Sequence, residues 1–205
     1  MPRAVGQIDR VKSEAMLEAA AQVIAERGMN APVEAIARRA GVSKQTLYNH
    51  FGGKAGLMRV LVQRRVEAFA EPLVDPSGDV PPEVALTAFA RGLMPALLSE
   101  QYLTLLRVAI QGAADMPELA RTVFETGSQG TRARLTAYLR AQTHAGRLAV
   151  DDAEEAAELF VGMIAARQMR GLIGLPTSRN EPAASDKLCA TIARRFVRAY
   201  APSES

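Results

Sequence analysis

Between Ser43 and Phe51 the sequence SKQTLYNHF gathers Lys44, Gln45, Thr46, Tyr48, Asn49 and His50 around two apolar residues, Leu47 and Phe51. Read as a helix, the stretch turns Leu47 and Phe51 (i, i+4) inward and leaves Lys44, Gln45, Tyr48 and Asn49 outside. Gln and Asn can meet an adenine edge with two hydrogen bonds, and Lys, Thr, Tyr and His can reach phosphates or base edges. The chemistry offered is recognition of a duplex rather than bond-making. Little else in the chain competes with it. The two histidines, His50 and His144, and the single cysteine, Cys189, have no metal-ligand spacing. There is no GxSxG, P-loop or GxGxxG, and Gly171 and Gly174 fall at a helix end rather than after a strand. No catalytic residue, metal or cofactor is expected.

The elements that must position these side chains are short and well punctuated. Val33, Ile36, Ala37 and Ala40 repeat at i, i+3, i+4, i+7, the stripe of a brief amphipathic helix, with Pro32 as its first residue. Gly41 can stop that helix at a positive φ. Ser43 is then an N-cap whose hydroxyl accepts from the backbone of Gln45 or Thr46, and Val42 with Leu47 has the spacing of a hydrophobic staple. Two helices joined by so small a turn form a helix-turn-helix. Ahead of it, Asp9–Arg27 is expected to be helical, with Leu17, Ala20, Ala21 and Ile24 buried, and residues 1–8 form a flexible arm. Gly52 and Gly53 end the reading helix. Lys54 opens a helix to about Phe69, with Leu57, Val60, Leu61 and Val66 on its core side. A helix N-terminus already favours anions, and Lys54 in its first turn would strengthen a phosphate contact.

GVSKQTLYNHFGGK, with IARRAG before it and a helix after it, resembles the DNA-binding region of the TetR family of bacterial transcriptional regulators over roughly residues 10–65. The resemblance implies an all-helical homodimer with an N-terminal DNA reader and a C-terminal domain for ligand and dimerisation. That family usually carries Ser or Thr at the start of the second helix, where this chain has Pro32. The weight of phosphate anchoring therefore passes to Tyr48, His50 and Lys54.

Charge follows the motif. Residues 1–65 hold eleven Lys/Arg against five Asp/Glu, a net of +6, and residues 66–205 hold fourteen against seventeen, a net of −3. The basic excess lies where a phosphate-contacting module needs it. With 48% hydrophobic and 23% charged residues the composition is that of an ordinary globular protein. The absence of a long apolar run, of a signal core in Met1–Arg10 and of a pairable second cysteine leads us to expect a cytoplasmic protein with no membrane partner.

EPLVDPSGDVPP, residues 71–82, reads as a loop and domain boundary, dividing the chain into 1–8, 9–53, 54–70 and 71–205. Beyond it helices are expected from Glu83, with a kink or break near Gly92–Met94 ahead of Pro95; from Ser99 to Ala114; and from Pro117 to Thr143, uneven around Gly127–Gly130. Two more follow, from the Asp151/Asp152 cap to Ile173 and from Ala184 to Tyr200. The pattern MPELARTVFETG…LTAYLRAQTHAGRLAVDDAEEAAELFVGM…GLP…RRFVRAY is similar to the AefR-like branch of TetR C-terminal domains. Leu159, Phe160, Leu188, Ile192 and Phe196 mark apolar faces suited to a partner helix pair, which the resemblance makes a four-helix dimer interface. Candidates to line a pocket are Phe89, Met94, Tyr102, Arg107, Phe124, Tyr138, Met163 and Met169, each of which could equally be core. Arg107 interrupts the apolar run LTLLRVAIQ, and if buried it needs an anionic partner.

These features point to an all-α, sequence-specific regulator, a repressor released from a pseudo-palindromic double-stranded DNA operator by a small-molecule effector. A non-specific architectural DNA-binding protein, or an all-helical enzyme or interaction protein, is the alternative.

Overall fold

The computed structural model describes residues 5–27, 31–74, 79–115, 117–176 and 182–202. Within them every regular element is helical: α1 Val5–Arg27, α2 Val33–Arg39, α3 Lys44–Phe51, α4 Lys54–Ala70, a 3-10 turn Glu71–Leu73, α5 Pro82–Leu97, α6 Glu100–Gly112, α7 Pro117–His144, α8 Ala153–Ala165, α9 Gln168–Leu172 and α10 Pro182–Ala199. Two compact units are present, Met1–Arg65 and Val66–Ser205. The division falls inside α4, between the expected boundaries at residues 54 and 71. None of the described helices is long and apolar enough to cross a membrane.

In the first unit α1 packs on α2, and Met16, Leu17, Ala20 and Val23 meet Ile36, Leu47 and Leu57 in one apolar core. The α1 stripe is set slightly differently from expectation: Met16 and Val23 are buried, while Ala21 is exposed. Arg39 donates to both oxygens of Glu26, at 2.8 and 2.7 Å, and clamps the end of α2 to α1. Arg64 pairs with Glu14 in the same unit. Helix α1 begins at Val5, inside the stretch expected as an arm, and residues 1–4 lie outside the described ones.

The second unit is built on α5 against α10, α7 against α8 and α6 against α7. Phe89, Phe160 and Phe196 are buried, and ring pairs run from Phe69 to Phe89, Phe160, Phe196 and Tyr200 with centroids 4.8–6.1 Å apart. Such pairs contribute about 0.5–1.5 kcal/mol each beyond area burial. Capping follows the sequence: Ser99 accepts from Tyr102, and the Asp152 carboxylate accepts from the backbone of Glu154 and Glu155 at 2.9 and 3.0 Å.

Three expectations are corrected. The helix containing Pro95 is not interrupted near Gly92–Met94 but runs to Leu97. Pro95 lies inside the helix close to its end, so it gives up the one hydrogen bond to the Arg91 carbonyl without ending the helix. The helix through Gly127–Gly130 is continuous. The expected helix to Ile173 instead ends at Ala165, and α9 follows after Ala166 and Arg167. Contacts from other helices hold α9 apart: Gln168 donates to the Leu97 carbonyl, and Arg107 donates to the carbonyls of Gly171 and Leu172.

Candidate nucleic-acid interface

Helix α3 starts from a true side-chain cap. Ser43 is extended (φ −73°, ψ 153°), and its hydroxyl accepts from the backbone of Thr46 at 3.0 Å. The Thr46 hydroxyl lies 2.8 Å from that of Ser43, so it serves the cap as well as the surface. The preceding turn uses Gly41 at φ 66° after the C-cap Ala40. Pro32 occupies the cap position of α2 rather than its first helical residue, and no side chain caps that end. At the far end of α3, Gly52 takes φ 69°, where a side chain would be strained, and returns its N–H to the Tyr48 carbonyl at 2.8 Å.

Leu47 is fully buried and Phe51 half-buried, while Lys44, Gln45, Tyr48 and Asn49 are exposed. The exposed residues are ordered by one another. Gln45 Nε2 donates to Asn49 Oδ1 at 2.7 Å, leaving Gln45 Oε1 to accept and Asn49 Nδ2 to donate. The Lys44 ammonium lies 5.7 Å from the Tyr48 ring centroid and 2.6 Å from Glu34 Oε1 in the first turn of α2. Their hydrogen bond holds the Glu34 carboxyl below, and the Lys44 ammonium above, its ordinary pKa range. The Tyr48 ring also rests against Gly53, where an added Cβ would come within 3.2 Å of it. His50 is half-buried and meets Phe51 edge-on at 5.2 Å. Lys54 begins α4 and is half-buried.

Glu34 is the residue at this face that sequence reading passed over. It precedes Lys44 by ten positions, so neither helix periodicity joins them. Only the angle between α2 and α3 does.

The family model described as bacterial regulatory proteins, tetR family, matches residues 16–61, and that of the AefR-like transcriptional repressor, C-terminal domain, matches residues 84–202. This chain belongs to the TetR family. Solved structures agree. A TetR-family transcriptional regulator from Mesorhizobium loti is 25% identical, with 94% of this chain and 98% of that one covered at a TM-score of 0.70. The flavonoid-responsive regulator FrrA is 28% identical over 94% and 98% at 0.59. A TetR regulator from Agrobacterium tumefaciens is 24% identical over 94% and 95% at 0.65. The chain is thus a TetR-family transcriptional regulator with a helix-turn-helix DNA-binding unit and an AefR-like C-terminal domain.

In this TetR-family C-terminal domain the described pocket candidates differ in burial. Phe89, Met94 and Tyr138 are buried, but Met163 and Met169 are 39% and 64% exposed. Tyr102 is half-buried on α6; burial pushes its phenol up, and a hydrogen bond with Gln168 partly offsets this. The side chain of Phe124 lies outside the described residues. Arg107 has a structural assignment. Its side chain is 32% exposed, pairs with Glu100 at 2.9 Å, and donates to Gly171 and Leu172 at 2.7 and 3.0 Å, satisfying the last carbonyls of α9. It is neither buried nor in need of a ligand's charge. A cavity of about 210 Å³ does lie between α5 and α10, lined by Arg91, Met94, Pro95, Leu98, Ser185, Asp186 and Cys189.

The proposed pairing residues also divide. Phe160, Ile192 and Phe196 are buried in the chain's own core, so they cannot contribute area to a partner. Leu188 is half-buried, and on α8 Leu159 is 51% exposed. Met163, a pocket candidate, shares that exposed face one turn on.

Proposed function

We propose that the protein is a sequence-specific repressor that binds a pseudo-palindromic operator as a homodimer and leaves it when a small molecule binds the C-terminal domain. The observation that carries this reading is α3 itself: a capped helix whose outer face is polar and internally ordered, in the half of the chain that holds the basic excess. Lys44, Gln45 and Asn49 read base edges in the major groove. Thr46, Tyr48, His50 and Lys54 contact phosphates. Leu159, Met163 and Leu188 pair two copies, and two-fold symmetry presents two copies of α3 to successive faces of the duplex.

The match to an AefR-like repressor domain supports repression, and likeness to a flavonoid-responsive regulator supports control by a small molecule. Effector and operator would favour different separations of the two readers, each weakening the other through a coupling of about 1–3 kcal/mol. Helix α4 begins in the DNA-binding unit and ends in the C-terminal one, which suits it to carry that coupling. Selection of bound duplexes from a random library, followed by gel-shift titration, tests the reading. Tyr48→Ala and Lys44→Ala should each weaken operator binding, and unchanged affinity in both would refute the assignment of α3. Lys54→Ala should weaken all duplexes alike and reduce the salt slope by about one unit.

A further inference from the structure

We propose that Glu34, acting with Lys44, reads a G·C pair in each half-site and penalises other base pairs at that position. The inference rests on the reading of α3 as the helix that enters the major groove. The Lys44 ammonium and the Glu34 carboxylate are 2.6 Å apart, with their side chains 54% and 60% exposed. An ion pair this open to solvent contributes little to folding, so stability alone does not account for a carboxylate placed beside a DNA-reading lysine. The pair sets a cluster of donors next to an acceptor, on a lysine further steadied by the Tyr48 ring. The G·C edge in the major groove has the complementary order. Guanine N7 and O6 stand side by side as acceptors for an ammonium with several N–H groups, and cytosine N4 donates toward a carboxylate. An A·T edge places its one donor between two acceptors, so the ammonium meets only one of them beside the carboxylate.

The carboxylate also acts where the match is absent. Phosphates repel it, and on a duplex without an N4 donor at that position nothing offsets the repulsion. It also holds Lys44 away from the phosphates, where a free lysine would release a counterion on any sequence. Glu34 thereby lowers affinity for random DNA more than for the operator, a form of discrimination through the wrong partner.

Library selection with the wild-type chain, Glu34→Gln, Lys44→Gln and the double variant tests this, with a thermal melt of each to confirm folding. The wild type should enrich G·C at one position of each half-site. Glu34→Gln should weaken that preference at least about fivefold, the lower end of what a good base contact supplies. It should also tighten random-duplex binding by up to about eightfold near 0.1 M salt, the effect of neutralising one more phosphate. In the Lys44→Gln background, adding Glu34→Gln should change the profile less than it does in the wild type. The inference is overturned by an unaltered profile in Glu34→Gln, by enrichment of A·T at the affected position, or by weaker random-duplex binding. A wild-type chain that enriches no sequence would remove the reading of α3 itself, a separate failure.

Discussion

A single methyl group at position 56 tests how closely α4 is set against the end of the reading helix. Gly56 is in the first turn of α4, and a Cβ built there would lie 1.7 Å from the carbonyl oxygen of Phe51 and 2.9 Å from its carbon. Ordinary carbon–oxygen approaches are about 3.3 Å, so Gly56→Ala must push α4 from α3 by about 1.5 Å. The obstacle is backbone, and no rotamer change removes it. Overpacking of this kind costs about 1–3 kcal/mol, while alanine recovers about 1 kcal/mol of helix propensity at most. A clash this deep belongs at the upper end, which leaves a net loss of about 2 kcal/mol and a Tm lower by about 4–8 °C. Gly130→Ala is the contrast: its methyl would sit 3.7 Å from Val66 Cγ1, an ordinary contact, and should stabilise by about 0.5–1 kcal/mol. Thermal and urea unfolding followed by helical circular dichroism measure both. If Gly56→Ala melts at or above the wild type, the close approach of α4 to Phe51 is wrong.

Ser43→Ala removes the acceptor for the Thr46 N–H and should destabilise by about 0.5–2 kcal/mol in urea unfolding, with a loss of operator affinity as α3 frays. Leu159→Asp places a charge on the exposed face of α8 without entering the core; light scattering should show a shift from two chains to one. Cys189 is 2% exposed, and burial pushes its thiol up, so the folded protein holds less thiolate at neutral pH. Alkylation should therefore be slow in the native state, accelerate as pH rises, and become fast in denaturant.

The fold was legible where local chemistry sets the chain direction. Gly41, Ser43, Gly52, Ser99 and Asp152 are punctuation that a single sequence displays, and the helix ends they mark lie where they were expected. Legibility failed where a distant partner decides. The run from Ala165 through Arg170 has no breaker, and α8 and α9 separate because Gln168 and Arg107 bind backbone elsewhere. Arg107 itself looked out of place in an apolar run, but the carbonyls it satisfies lie 64 and 65 residues away. Phe160, Ile192 and Phe196 could not be divided between core and partner surface by hydrophobicity, which is alike for both. The same holds for Glu34, whose importance depends on the α2–α3 angle bringing it to Lys44.

The measurement that bears most directly on the central claim is a competition titration at physiological salt between the duplex selected by the wild-type chain and random duplex of equal length, with the stoichiometry of the complex determined. A sequence-specific dimer predicts two chains on a two-fold symmetric site and a preference of about 10³-fold or more. Equal affinity for the two duplexes would contradict it, and would leave a basic helical protein that holds DNA without reading it.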